Sequence, residues 1–277
     1  MAVMDALKRR PLGATGVDVA ELGLGAMDTP TSPEGAATLH TALDLGIEFI
    51  DTARDYAGSE LLIGGVMRER GRTGAFLASK TFSRTASGAQ WDVDRSLRAM
   101  SVESIDLYQL HDVRTPEDWH AVMAEVGALE GLQVARYRGL VRHIGISTHT
   151  LDIGRKAILS GEFATIMLEY SAFYPESAPL LELAAERGVG VIVMRPVGGS
   201  GRTSIMRRSI ENGTAGILTP ANLLRYVLSN PAVSVAIPGA RFPARVIENA
   251  ATARSGERMD DRERRELETA AAALYAD

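Results

Sequence analysis

Four residues carry chemistry in this chain of 277 residues: Asp51, Tyr56, Lys80 and His111. Asp51 closes a short apolar run, and Tyr56 follows in the next loop. Lys80 ends the stretch FLASK, and His111 ends IDLYQLH. A charge at the tip of a buried segment is costly unless something compensates it. Taken singly, each residue has a structural explanation. Asp51 can cap a turn, Tyr56 can anchor a loop, Lys80 can reach solvent, and His111 can be a satisfied core histidine. Taken together they describe a general acid. A phenol titrates near 10 and is a poor acid at neutral pH. An ammonium about 4 Å away, at an effective dielectric of about 20, favours the phenolate by ~4 kcal/mol, an upper bound that brings the phenol near 7. Asp51 beside Lys80 keeps the lysine charged, and a neutral His111 can donate a hydrogen bond to a carbonyl oxygen and orient it. The expected chemistry is protonation of an oxygen that is gaining negative charge. No metal set and no activated serine is evident, so the electrons are expected from a cofactor.

Composition narrows the rest. Hydrophobic residues make up 45%, normal for a globular core, and the absence of cysteine removes disulfides, thiolate metal sites and thiol nucleophiles. The formal net charge is −5 with no long run of one sign, which argues against a nucleic-acid partner. The opening MAVMDALKRR is not a signal peptide, and no apolar run approaches the ~20 residues of a membrane span. A cytoplasmic protein with no membrane partner is the expectation. Lys8, Lys80 and Lys156 are the only lysines in a chain that otherwise uses arginine, so a lysine ending an apolar strand stands out.

Those four residues need a frame that brings strand ends together. Residues 1–20 read as a hairpin turning at Ala14-Thr15-Gly16. After it, strand patterns recur at 21–25, 48–51, 75–80, 104–111, 142–147, 165–170, 190–195 and 234–238. Helical patterns fall between them at 33–45, 59–70, 90–100, 116–139 (breakable at Gly127 or Gly131), 152–160, 178–187 and 220–229, with a last one at 260–276. Ser32-Pro33, Thr115-Pro116 and Thr219-Pro220 each put a capping hydroxyl before a proline at the first helical position. The strands are apolar throughout and do not alternate, as parallel strands covered by helices are. Eight of them alternating with helices predict a (β/α)₈ TIM barrel as one domain over 1–277, preceded by the N-terminal hairpin. A doubly wound sheet is the competitor, but Gly23-Leu24-Gly25-Ala26-Met27-Asp28 lacks the final glycine of the dinucleotide-binding turn. In a barrel, chemistry gathers at the C-terminal strand ends, where Asp51, Tyr56, Lys80 and His111 would share one mouth.

At this point the residues resemble the aldo-keto reductase family. The matching pieces are GLGAM (23–27), IDTARDYAGSELLIG (50–64), LASK (77–80), SLRAMSVESIDLYQLH (96–111), VRHIGIS (141–147), LEYSAF (168–173), GVGVIVMRPVGG (188–199) and IPGARFPARVIEN (237–249), in the family's order across nearly the whole chain. The resemblance implies a (β/α)₈ barrel that binds NADPH or NADH, and hydride transfer to an aldehyde or ketone with Tyr56 as general acid. Asp51, Lys80 and His111 would support it.

The resemblance also implies a cofactor site made of Gly25, Ala26, Met27, Ser147, Thr148, Met167, Met194, Arg195, Pro196, Val197, Gly198, Gly199, Gly239, Arg241, Arg245, Glu248 and Asn249. Ser147 matches a serine that contacts the nicotinamide amide. Thr148 stands where the family often has asparagine, Met167 where glutamine is common, and Met194 where many members place a stacking tyrosine. Arg245 would pair with a 2′-phosphate, and Arg241 would stack on adenine or share that phosphate. Gly239-Ala240 replaces a common Lys-Ser. NADPH is favoured, with NADH open. A plain surface helix start is the alternative for the arginines, and a plain turn for the glycines at 198–201 as a pyrophosphate nest. Asp28, Phe82 and Met27 are placed at the mouth, while Trp119, His120, His143 and His149 are assigned to structure or surface. No substrate beyond a small-molecule carbonyl is implied, and a monomer or small homo-oligomer is expected. Two other readings stand beside the reductase: a cofactor-binding, redox-sensing regulatory subunit with slow turnover, and a Schiff-base aldolase using Lys80.

Overall fold

The computed structural model describes residues 6–72, 74–198, 209–210, 212–213 and 215–274. Its body is an eight-stranded parallel barrel. The strands are β3 (Leu24–Gly25), β4 (Phe49–Asp51), β5 (Phe76–Thr81), β6 (Ile105–Leu110), β7 (Val141–Ser147), β8 (Thr165–Glu169), β9 (Gly190–Met194) and β10 (Val235–Ile237), each hydrogen-bonded to its neighbour in that order. Closure between β10 and β3 is made by parallel bridges Leu22–Ala236 and Gly25–Gly239, with Gly23 N–H donating to Ala236 O at 2.8 Å. Only two residues of the expected 21–25 strand are regular. Gly23 lies so close to β4 that a Cβ there would come within 2.9 Å of Phe49 O.

The run of apolar residues in each strand follows from this closure. One set of side chains points into the barrel: Phe49, Phe76, Ala78, Leu107, Met167, Ile192, Val235 and Ile237 form one cluster. Their strand neighbours, such as Ile50, Leu77, Tyr108, Ile146 and Leu168, pack outward under the helices. Both faces are therefore buried, and no polar alternation is possible.

The hairpin of β1 (Arg9–Pro11) and β2 (Asp18–Ala20) is present as predicted, joined through a short 3₁₀ turn at Gly13–Thr15. Leu12, fully buried, reaches from it into the interior cluster. Gly13 has φ +58°, and a Cβ would sit 2.3 Å from Gly190 N, so only glycine passes under the start of β9 there.

Among the described residues these helices surround the strands: α1 (Pro33–Asp44), α2 (Ser59–Arg70), α3 (Ala86–Met100), α4 (Pro116–Met123), α5 (Ala128–Tyr137), α6 (Leu151–Ser160), α7 (Ala178–Glu186), α8 (Pro220–Leu228), α9 (Pro243–Arg254) and α10 (Asp261–Ala273). The three Ser/Thr-Pro starts are real caps, with Ser32, Thr115 and Thr219 accepting from the N–H groups of Gly35, Asp118 and Asn222. Two expectations change. Helix α3 starts at Ala86 rather than at 90 because Thr85 caps it through Gly88 N–H. The second is a choice settled: of the two breaks offered for 116–139 it is Gly127 that divides the helices, where a Cβ would meet Val122 O at 2.5 Å. Gly131 instead lets α5 approach Ala86 of α3.

Leu12→Ala removes the side chain that seals the barrel floor. It should destabilise the protein by about 2–5 kcal/mol, read as a lowered urea midpoint at unchanged slope.

Candidate active site

The C-terminal ends of β4, β5 and β6 deliver Asp51, Lys80 and His111, and the loop after β4 brings Tyr56 beside them. That loop is pinned: Thr52 N–H donates to Ala78 O, Arg54 N–H to Lys80 O, and Ser59 N–H to Tyr56 O. Lys80 is 1% exposed and Asp51 3%. Lys80 Nζ has three acceptors in range: Asp51 Oδ2 at 2.6 Å, Thr52 O at 2.8 Å and the Tyr56 hydroxyl at 3.4 Å. An ammonium has three protons, so this one is saturated. Asp51 Oδ1 accepts from Gln109 Nε2 at 3.3 Å.

The electrostatics differ in one respect from expectation. Burial lifts Asp51 above the usual carboxylate range, against the pull of Lys80. Burial alone would lower Lys80, but Asp51 and Tyr56 hold it above its ordinary value, so the lysine stays charged. Tyr56, expected near 7, is instead raised above 10: burial is the largest influence, and Asp51 and Asp55 add negative charge that offsets Lys80. The resting phenol is therefore neutral. Because its oxygen accepts from the saturated ammonium, its own proton is free to point elsewhere. His111 is pushed down to about 3, first by burial and then by the positive charges of Lys80, Arg84 and Arg114, so its ring is neutral at pH 7.

Several neighbours support the set. Phe82 stacks on the His111 ring with centroids 4.1 Å apart, and Tyr56 meets it edge-on at 5.7 Å. Arg84 donates to the carbonyls of His111 (2.9 Å) and Asp112 (3.0 Å) while pairing with Asp118. Asp112, at φ +54°, is also held by its N–H donating to Ser147 Oγ at 2.8 Å. Asp55 Oδ2 lies 3.2 Å from His111 Nδ1. Asp55, Arg84 and Gln109 were missed in the sequence. Gln109 had a signal, as an uncharged polar residue two before His111 on a fully buried strand. Arg84 and Asp55 had none, because loop residues show their partners only once folded. Among the described residues no cluster of His, Asp or Glu could hold a metal ion.

The residues implied for the cofactor divide into two groups. Gly25 and Gly239 are bridged where the barrel closes, and Ala26 is buried with its carbonyl accepting from Ser59. Met27 is 66% exposed at the mouth. Arg241 and Arg245 are exposed around the start of α9, whose first position is Pro243 and which has no side-chain cap. Arg245 pairs with Glu248 at 2.7 Å and Arg241 approaches Asp28 at 3.9 Å, while Asn249 is half-buried one turn on. Uncapped N–H groups beside two arginines fit a phosphate monoester.

The β7–β9 end is less suited to an amide. Ser147 Oγ is engaged by Asp112, the Thr148 hydroxyl meets Thr150, and Met167 is buried in the barrel interior with Met194 half-buried against it. Arg195 has φ +53° and binds Glu169 at 2.9 Å. Glu169 also contacts His149, which ties that residue into the mouth rather than leaving it on the surface. Pro196 is buried, Val197 packs on the core, and Gly198 has φ +95°. Gly199 lies outside the described residues.

The fold is thus a parallel barrel with a buried acid–lysine pair beneath a neutral phenol at its mouth, and comparison with known proteins gives its family. The profile of the Aldo/keto reductase family matches residues 21–216, and the chain belongs to that family. It is 25% identical over 282 residues to the Bacillus subtilis (strain 168) "Uncharacterized oxidoreductase YqkF", covering 88% of this chain and 90% of that one. It is 28% identical over 215 residues to L-galactose dehydrogenase of Arabidopsis thaliana, covering 70% and 66%. Among solved structures it resembles the holo form of aldo-keto reductase AKR11C1 from Bacillus halodurans, with TM-score 0.77, 25% identity and coverage of 98% and 99%. Enzymes of this family use nicotinamide cofactors.

Asp51→Leu leaves the Lys80 charge buried without its counter-ion and should cost about 3–5 kcal/mol of stability by urea unfolding. The double variant Asp51→Leu with Lys80→Met should recover most of that loss, because an apolar pair of similar size replaces the ions.

Proposed function

We propose that the protein is an NADPH-dependent reductase of aldehydes or ketones, with NADH as a weaker cofactor. The observation that carries this reading is the Lys80–Tyr56 contact: the ammonium donates to the phenol oxygen, and the phenol keeps its own proton for a ligand. A bound reduced nicotinamide would supply the hydride. The chain's part is to bind, orient and protonate. As the carbonyl oxygen gains negative charge, the Tyr56 proton moves to it, and the phenolate left behind is stabilised by a lysine already aimed at its oxygen. Asp51 keeps that lysine charged throughout. His111, neutral and covered by Phe82, holds the carbonyl in line.

Arg241 and Arg245, with the uncapped N–H groups of α9, would take the 2′-phosphate, and Arg245 would exchange Glu248 for it. Gly239 and Gly25 would let the cofactor backbone lie against the barrel rim, with Ala26, Met27, Glu248 and Asn249 around the adenosine. Ser147, Thr148, Met167, Met194, Arg195, Pro196, Val197 and Gly198 would flank the nicotinamide and pyrophosphate. Met167 and Met194 would offer that ring dispersion contacts instead of hydrogen bonds and stacking. The substrate is read as a small carbonyl compound, and the protein as a cytoplasmic monomer or small homo-oligomer. Among the described residues no helix is long and apolar enough to cross a membrane.

Tyr56→Phe should lower kcat for aldehyde reduction by about 10²–10⁴-fold while leaving NADPH binding, followed by cofactor fluorescence, nearly unchanged. Retention of most activity would remove the proposed acid. Arg245→Ala should weaken NADPH binding roughly 10–100-fold, the worth of a charge-assisted hydrogen bond, and leave NADH binding nearly as it was. Equal losses for both cofactors would count against a phosphate role.

A further inference from the structure

We propose that Asp28 limits the preference for NADPH over NADH, because it competes with the cofactor's 2′-phosphate for Arg241 and repels it. The inference deepens the reductase reading and rests on its placement of the adenosine end at 239–249. Asp28 belongs to a different part of the chain from the arginines, the loop after β3.

Buried bonds hold that loop against the segment after β10. Gly25 N–H donates to Pro238 O at 3.1 Å, and the buried Thr29 hydroxyl donates to Ala240 O at 2.9 Å. Asp28 lies between these two anchors in sequence, so the fold itself delivers its carboxylate to residues 239–241. Arg241 is held from its own side, with its carbonyl accepting from the Thr38 hydroxyl of α1 at 3.3 Å. Asp28 Oδ1 stands 3.9 Å from the Arg241 guanidinium. A Cβ on Gly239 would meet Asp28 Oδ2 at 3.6 Å, so the carboxylate covers the open side of that glycine, where the barrel closes against Gly25.

Two arginines alone would favour a dianion over a neutral group. Here each already faces a carboxylate: Arg241 faces Asp28, and Arg245 pairs with Glu248 at 2.7 Å. The four formal charges cancel. A phosphate monoester brings about −1.5 to −2 near pH 7, so its arrival leaves the cluster negative. A ribose 2′-hydroxyl is uncharged and meets no such opposition. Asp28 therefore penalises NADPH and spares NADH. The four side chains are 59–64% exposed, so water and salt screen these interactions. The penalty is accordingly a few-fold in affinity and not orders of magnitude.

Titration calorimetry of NADPH and NADH on the native protein and on Asp28→Asn tests this, since asparagine keeps the shape and removes the charge. Asp28→Asn should tighten NADPH roughly two- to fivefold and change NADH by less than about 1.5-fold. Asp28→Lys should extend the NADPH gain to roughly tenfold. The gain in Asp28→Asn should shrink between about 0.05 M and about 0.5 M salt. Adenosine 2′,5′-bisphosphate and adenosine 5′-monophosphate, which carry the adenosine end alone, should respond as NADPH and NADH do. Unchanged NADPH affinity in Asp28→Asn, or an equal gain for both cofactors, would overturn the proposal. So would weaker NADPH binding, which would mean that Asp28 only steadies Arg241. Failure of the reductase reading is distinguishable from these outcomes. Native protein that binds neither cofactor removes the reading and the proposal together, whereas unimpaired turnover in Tyr56→Phe, with both cofactors bound, removes only the proposed acid.

Discussion

The mouth of this barrel depends on one buried ion pair. Lys80 and Asp51 sit on adjacent strands in register, β4 pairing β5 with Asp51 opposite Ala78, so the lysine two residues further along reaches back across the sheet. Neither charge has solvent to return to. Removal of both from water costs several kcal/mol each before their attraction is counted, so the arrangement survives only because every partner is present. Asp51 takes one proton of the ammonium, Thr52 O a second and Tyr56 the third. The pair thus dictates the course of the loop that follows β4, because the Thr52 carbonyl must turn inward. In doing so it carries Tyr56 over the lysine.

This geometry changes how the phenol is understood. A lowered pKa is one route to an acid, and the sequence suggested it. The folded site works differently, because burial and two carboxylates keep the phenol neutral. In the proposed mechanism, what Lys80 would supply is orientation in the resting state and stabilisation of the phenolate as it forms. Preorganisation of this kind lowers the barrier without requiring an ionised ground state.

Much of this was legible in the chain because both periods were clean. Apolar runs such as FLASK and IDLYQLH could only be strands covered on both faces, and Thr-Pro and Ser-Pro marked helix starts. The boundary that failed and the one left open had specific causes. Thr85 caps α3 with no proline to announce it, and the choice between Gly127 and Gly131 as the break in 116–139 depended on a carbonyl, Val122 O, that sequence does not reveal. Asp51, Lys80 and His111 were visible because a charge at the end of an apolar strand is conspicuous. Arg84 and Asp55 sit in polar loops where another charge is unremarkable, and their partners are made by strands distant in sequence.

The two ends of the mouth are built on different principles. Around β4–β6 the polar groups lean on close neighbours: Gln109 on Asp51, Arg84 on the carbonyls beyond β6, Phe82 on His111. Around β7–β9 the interior is thioether, from Met167 and Met194, and the charges have moved outward to the Asp112–His149–Glu169–Arg195 chain at the rim. Thioethers adapt to shape and fix little. If the proposed cofactor ring lies above them, its orientation would come from both sides of the cradle, from the backbone held at φ +53° in Arg195 and at φ +54° in Asp112. Both of those strained residues are tied by hydrogen bonds or ion pairs to elements on either side. In that reading the rim network would keep a soft floor usable, and the rigid half of the mouth would face whatever that floor presents.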